Sequence, residues 1–465
     1  PRVDRNSPNV LRKFKNGIKV PAYLKWKQEL DLIKDSSLSY HNLYNEVFNY
    51  NRPLIHKIKA GDPDFWRGEG LTKPTPYERL KLHLRTHVVR DDQPDKVRAV
   101  FGAPKLLLHS ELMFIWPLQA TYQNTDAGRL FWGREMSRGG MVNIIQELCT
   151  RNDGTFISMD WSQFDRRLLH ELIDEVHKMW RSWFDFSQYE PTTRYPNPIV
   201  NPDKIEKLWY WMCESIKYTP IELPNGQIWR WEWNGFGSGY QQTQLMDTFC
   251  NMIMTYTVLS KLGINIEAKK FKSRFQGDDA VLAFDEPVFE TQGTEFLSHM
   301  AREALYYFNA KLSVDKTKIG DNPDDIYCLG YNSRGGFPYR EDFDLLSHLM
   351  FPEKPQDFGR LAASAVGLVY SSFGNSRSFY NLCEDIYNSI VIDKQIKPDW
   401  KVLKWMKKAG METVLEGLKR GNFPSYVSCI SAGCTPQVRT LSELERNWPT
   451  IPQGVRGEII FLNKV

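Results

Sequence analysis

The residues best equipped for chemistry are two adjacent aspartates, Asp278 and Asp279, within "RFQGDDAVLAF" (274–284). Bare carboxylates side by side repel, and in an apolar setting one of them keeps a proton. The runs on either side, 273–276 and 280–284, read as two short antiparallel strands. Gly277 permits a tight turn between them, which lifts both carboxylates to a sheet edge. A second acidic pair lies upstream in "TFISMDWSQFDRRLLHELIDEV" (155–176). Its strand pattern, 156–159, ends at Asp160, where strand gives way to loop, a usual place for catalytic groups. A helix follows, with Leu168, Leu169, Leu172, Ile173 and Val176 on one face. Asp165 also suits a helix N-cap. If the strand ending at Asp160 lies beside the hairpin, three carboxylates converge, and divalent cations offset their repulsion. Hard oxygen ligands in this number suit Mg2+, which completes its shell from water and phosphate. Two such ions roughly 4 Å apart clamp the attacking and leaving oxygens of an in-line phosphoryl transfer.

A third cluster is "GFGSGYQQTQLMDTFCNM" (235–252). Its glycine-rich start can approach a sugar-phosphate backbone closely, and Ser238 adds a hydroxyl. The continuation reads as a helix with Thr243, Asp247 and Asn251 on one face, a polar row suited to a ribose hydroxyl. A solvated helix face is the alternative, but Leu245, Met246, Phe249, Ile253 and Met254 leave few directions for solvent. The glycines are no dinucleotide fingerprint, since no clear strand leads into them, and a Walker A sequence is absent.

Stepping outward, a chain of 465 residues, 42% hydrophobic, can bury a core large enough for two or three subdomains. Helical and strand patterns alternate irregularly, as in an α+β fold. Residues 24–60 read as helical, 186–203 as a loop, and the chain beyond 345 as a largely helical subdomain. "YTPIELPNGQIWRWEW" (218–233) reads as a hairpin turning at Pro224-Asn225-Gly226. It sets Trp229, Trp231 and Trp233 on one face, for packing or for base stacking. Seven cysteines without a CxxC pair read as reduced thiols. The most apolar stretch, 106–120, is broken by His109, Ser110, Glu111 and Pro117 and is unfit to span a bilayer. No leader pattern opens the sequence, and its first residue is not Met, as expected of a fragment or a processed chain. Residues 1–110 hold 21 Lys+Arg against 12 Asp+Glu, net +9, and the remainder 39 against 44, net −5. This suggests a polyanion met by the first part, or else a solvated basic face.

Together the three clusters resemble motifs A, B and C of viral RNA-dependent RNA polymerases. Asp160 and Asp165 match D-x4-D, Ser238, Gly239 and Thr243 match S-G-x3-T, and residues 277–279 match G-D-D. "DKVRAVFGAPK" (95–105) resembles the basic motif F, with Arg98 the best match beside Lys96, Arg85 and Lys105. "KLSVDKTKIG" (311–320) resembles motif D and "YCLGYNSRGGFPYR" (327–340) motif E. The wording of motifs A, B and F is most similar to that of partitiviruses, which carry segmented double-stranded RNA genomes. The Asn that often follows the motif B Thr by four residues is replaced here by Asp247, and Asn251 comes one turn later. Which of the two meets the ribose is left open.

The resemblance implies an α+β right-hand polymerase of fingers, palm and thumb, with an antiparallel palm sheet flanked by helices. Residues 1–149 would form the N-terminal region and fingers with motif F, and 150–185 the palm's motif A. Residues 186–225 would be a fingers insertion, 226–345 the palm's motifs B to E, and 346–465 a helical thumb and C-terminal region. It further implies two-metal RNA-templated RNA synthesis that replicates and transcribes a double-stranded RNA genome. Mg2+, with Mn2+ as substitute, would sit on Asp160, Asp278 and the more peripheral Asp279, and Lys316 would protonate pyrophosphate. Arg98, Lys96, Lys105, Asp165, Ser238, Gly239, Thr243, Asp247 and Asn251 would bind nucleotide. Implied partners are RNA template and product, NTPs and a viral capsid protein, inside a particle in the host cytoplasm. A reverse transcriptase is the nearest rival, but it carries a bulky side chain near the position of Asp165 and an aromatic where Gly277 stands. A non-catalytic RNA-binding or capsid-associated protein would leave the acidic motifs unexplained.

Overall fold

A computed structural model describes residues 44–89, 96–124, 129–149, 154–188, 199–284, 293–352 and 356–437. Two compact units divide the chain, Pro1–His56 and Lys57–Val465. In the first, residues 44–56 are helical; residues 24–43 of the helix expected over 24–60 lie outside the described residues, as does most of the loop expected over 186–203. Everything below concerns the second unit.

Strict alternation in "LKLHLRTH" makes the strand Leu80–His87 (β1), which pairs antiparallel with Lys96–Gly102 (β2). Opposite residues of such a pair share a face. The register sets Arg85 against Arg98 and His87 against Lys96, so one face carries Lys81, His83, Arg85, His87, Lys96 and Arg98. The other face presents Leu80, Leu82 and Leu84 with Phe101. The expected hairpin adds Ile221–Glu222, parallel to β1, and then Ile228–Trp229. Its turn is closed by the Leu223 N–H bonding Gln227 O at 2.8 Å, with Gly226 at φ +84°. The tryptophans do not pack as one row. Strand geometry ends at Trp229, so Trp229 and Trp233 stand 61% and 57% exposed, while Trp231 lies against Gly235 and Phe101. The chain leaves β2 into the long helix Lys105–Asn124 (α1).

The acidic motifs lie on a four-stranded antiparallel sheet. At its centre runs Thr155–Met159 (β3), buried at every position. The amphipathic helix His170–Ser182 (α2) follows; it starts later than expected, because Leu168 and Leu169 are extended. Further along comes Thr243–Lys261 (α3), buried on most sides, with Asp247, Thr248, Asn251 and Thr255 among its buried residues. The hairpin strands Phe271–Gln276 (β4) and Asp279–Phe284 (β5) complete the sheet with Lys318–Gly320 (β6), in the order β6-β3-β5-β4. Both faces are covered, which is why β3 and β5 read as continuous apolar runs. Phe156, Val281 and Ala283 join a core with Met141, Ile144 and Leu148, and on the other face Met159 meets Thr255 of α3. Three short strands, Tyr327–Cys328, Tyr331–Arg334 and Phe337–Tyr339, follow this sheet. From Asp342 the described chain is helical and packs a separate core around Val366, Tyr370, Phe379 and Tyr387. Among the described residues the cysteines form no disulfide. Among the described residues, no helix is long and apolar enough to cross a membrane.

Candidate active site

The register of the sheet brings the acidic groups together. Met159 pairs with Ala280, so Asp160 and Asp279, one step further along antiparallel strands, reach the same edge. Asp278 occupies the turn beside Gly277, whose φ of +62° suits glycine. Asp160 is gripped through its backbone: its N–H donates to Thr317 Oγ1 at 3.1 Å, and its carbonyl accepts from Ser313 N–H at 2.8 Å. Lys316 is exposed on that same turn. On the hairpin side, Gly277 N–H donates to Thr248 Oγ1 at 2.8 Å. The Asn251 amide donates to Gly277 O at 3.0 Å and to Asp278 O at 2.9 Å.

The carboxyls sense one another. Asp279 is pushed up to about 6 by burial first and then by Asp278, with Asp160 adding and the Leu329 N–H opposing. Asp165 rises to about 6 through burial and then Asp278, against Arg98 and Arg166. Asp278 has exposed surface at the turn apex, yet the protein around it raises its carboxyl; its own amide and Arg98 oppose this, and Asp160 adds to it. Asp247 is buried, and its carboxyl lies well above the usual range through burial, Asp165 and Asp278, while Oδ1 has no hydrogen-bond partner. Five aspartates thus share one field, and Arg98, on the basic face of the β1–β2 sheet, is a cation that reaches into it.

The glycine-rich loop is fixed on three sides. Residues 233–236 zip onto the chain after Asp160: Phe236 N–H bonds Asp165 O, Gly235 N–H bonds Leu168 O, and His170 N–H bonds Trp233 O. Gly239 lies against β2 so closely that a Cβ there would stand 1.7 Å from Phe101 O. Ser238 beside it is exposed. Beneath the loop, Gln242 is fully buried, donating to Glu111 Oε1 at 2.9 Å and bonding His177 Nε2 at 2.7 Å. Burial raises Glu111 to about 7 and lowers His177 to about 4, the bonds to Gln242 opposing in both cases.

A family model described as viral RNA-dependent RNA polymerase matches residues 93–335, a span that holds all five aspartates and Arg98. The chain belongs to that family. It is 30% identical over 356 residues to the RNA-directed RNA polymerase of White clover cryptic virus 1, covering 74% of this chain and 58% of the relative. It is 26% identical over 382 residues to that of Atkinsonella hypoxylon virus, covering 74% and 56%. Both agree with the partitivirus resemblance, and the chain spans a little over half the length of each. The fold is that of the viral polymerases: the RNA-dependent RNA polymerase of a human picobirnavirus superposes with a TM-score of 0.52 at 14% identity, covering 76% of this chain and 64% of that one.

Within this family frame the expected site residues fall into two groups. Asp160, Asp165, Asp247, Asp278, Asp279 and Arg98 are brought together, with Lys316 on the turn that grips Asp160 and Lys96 on the face of Arg98. Lys105 opens α1, half-buried, and burial lowers its amine. Thr243 and Asn251 correct the expected polar row. The Thr243 hydroxyl is spent on the loop, 2.9 Å from Gly237 O and 3.2 Å from Tyr240 O. Asn251 is fully buried, with both ends of its amide bonded inside the protein. Asp165 does not act as an N-cap; it sits within the short helix Phe164–Arg167. Glu111, Gln242, His170 and His177 were not foreseen. Glu111 had a signal: a lone acid within an apolar helical run has to find a partner.

Proposed function

We propose that this chain extends RNA on an RNA template by nucleotidyl transfer at two divalent ions. The convergence of Asp160, Asp278 and Asp279 on one sheet edge carries the reading. Among the described residues no three ligating side chains stand close enough to grip an ion by themselves; Mg2+ takes much of its shell from water and phosphate. The donor set nevertheless fits Mg2+: it offers hard oxygens, and burial and mutual repulsion raise the Asp278 and Asp279 carboxyls, a cost that a bound cation would offset. Asp160 and Asp278 would be the principal ligands, with Asp279 at the margin beside the Leu329 N–H. Mg2+, or Mn2+ in its place, supplies a lowered pKa for the attacking 3′-hydroxyl and charge neutralisation at the α-phosphate.

The chain's own groups do the rest. Arg98, with Lys96 and Arg85 on its face, would grip the triphosphate. Lys316 would protonate the departing pyrophosphate. Asp165 and Asp247 would read the ribose, since Asp247 holds a buried oxygen without a partner. Ser238 would meet the sugar-phosphate backbone. The basic face and the N-terminal region would track RNA phosphates, so that affinity falls steeply with salt. We retain the division into fingers over 1–149 and 186–225, palm over 150–185 and 226–345, and thumb over 346–465. The partitivirus resemblance supports replication and transcription of a double-stranded RNA genome inside a particle, beside capsid protein, in the host cytoplasm.

Asp278→Ala tests the reading. Templated NTP incorporation should fall by roughly a thousandfold or more, while the affinity for RNA, measured by filter binding, stays within about twofold because that carboxylate serves metal rather than template. Unchanged synthesis would remove the site from consideration. A wild-type preference for dNTPs on RNA would point to reverse transcription instead.

A further inference from the structure

We infer that Asn251 is a positioning residue that suspends the Asp278 turn and the loop after Asp160 from one point on α3. The proposal deepens the polymerase reading and rests on it. An asparagine amide offers two N–H donors and an oxygen with two lone pairs. All four are engaged here. The nitrogen donates to Gly277 O at 3.0 Å and to Asp278 O at 2.9 Å. The oxygen accepts from Trp161 Nε1 at 3.0 Å and from Thr255 Oγ1 at 3.1 Å. Trp161 is the residue next to Asp160, so a single side chain ties the two acidic loops, which are far apart in sequence.

A neighbour on the same helix completes the hold. Thr248 gives its own proton to Gln244 O at 2.6 Å and accepts from Gly277 N–H at 2.8 Å. The Gly277 residue is therefore held at its N–H by Thr248 and at its carbonyl by Asn251. Asn251 is 0% exposed, and its hydrogen-bonding capacity is complete, so it has nothing left for a ribose. A site that must gather repelling carboxylates around an ion needs ligands fixed to within about half an ångström. The buried clamp supplies that fixity from behind, out of reach of the substrate.

Three variants test this. Asn251→Ala should cut kcat by about 10- to 100-fold and weaken Mn2+ binding, read by electron paramagnetic resonance without RNA or NTP, by a similar factor. The KM for NTP and the preference for ribose over deoxyribose should stay within about threefold of wild type. Thr248→Val keeps the volume but loses the acceptor, so it should weaken Mn2+ binding and speed amide exchange at Gly277, and Thr248→Ser should restore both. The Thr248 pair keeps the test open if Asn251→Ala fails to fold. A raised KM with collapsed ribose preference in Asn251→Ala, at unchanged Mn2+ affinity, would overturn the proposal, as would normal Mn2+ binding and Gly277 exchange in Thr248→Val. Should wild type itself fail to extend RNA, the polymerase reading falls, while Mn2+ binding and amide exchange still report on the clamp.

Discussion

Asp247 has the most unusual setting of any candidate residue. Its carboxyl is enclosed, faces the charges of Asp165 and Asp278, and has one oxygen without a partner. Such an acid stays protonated well above the ordinary range and can donate a hydrogen bond. Asp247→Asn keeps a neutral donor of nearly the same shape and should retain most of the preference for ribonucleotides. Asp247→Leu removes it, and competition between NTP and dNTP should show the preference falling about tenfold, the worth of one buried hydrogen bond of ~1.4 kcal/mol. Equal preference in wild type and Asp247→Leu would leave ribose selection to other groups.

At the scale of elements, the glycine-rich loop and strand β2 meet backbone to backbone. Gly239 packs on Phe101 O with no room for a methyl group. Gly239→Ala should therefore lose roughly 1–3 kcal/mol of stability, seen as a lower Tm. It should also lose more synthesis than that loss of stability explains, because the loop must lift away from β2. Much at this scale was legible beforehand. The strands around Asp278 and the end of β3 at Asp160 were placed within about two residues, since both have clear apolar runs and a turn glycine. What escaped notice was long-range. Nothing in the local pattern says that Glu111 on α1 and His177 on α2 meet at Gln242, or that the strand ends at Trp229 and leaves Trp233 in solvent. Asn251 stayed ambiguous because periodicity puts it on a face but cannot say that the Gly277 turn covers that face.

For the whole molecule, the family was visible from three spaced motifs that no single element could reveal, whereas the tightness of the buried polar contacts depends on the closed fold. One such contact alters how the entire chain exchanges protons with solvent when it folds. Unfolded, a carboxyl like Glu111 is ionised above its ordinary 4.5, and an imidazole like His177 is charged below its ordinary 6.5. Folded, the carboxyl keeps its proton up to about 7 and the imidazole stays neutral down to about 4. Between pH 4.5 and 6.5 each state then binds one proton on the pair, and their joint contribution to the slope of stability with pH cancels. Removing either partner exposes the other. Glu111→Gln leaves His177 alone, so stability should rise with pH from about 4 to 6.5; His177→Gln leaves Glu111 alone, so stability should fall from about 4.5 to 7. Each slope, relative to wild type, is up to about 1.4 kcal/mol per pH unit, measurable by urea unfolding across that range. At this pair folding moves a hydrogen ion internally, from a nitrogen base to an oxygen acid, so between those limits acidity in the surroundings gains no purchase on it.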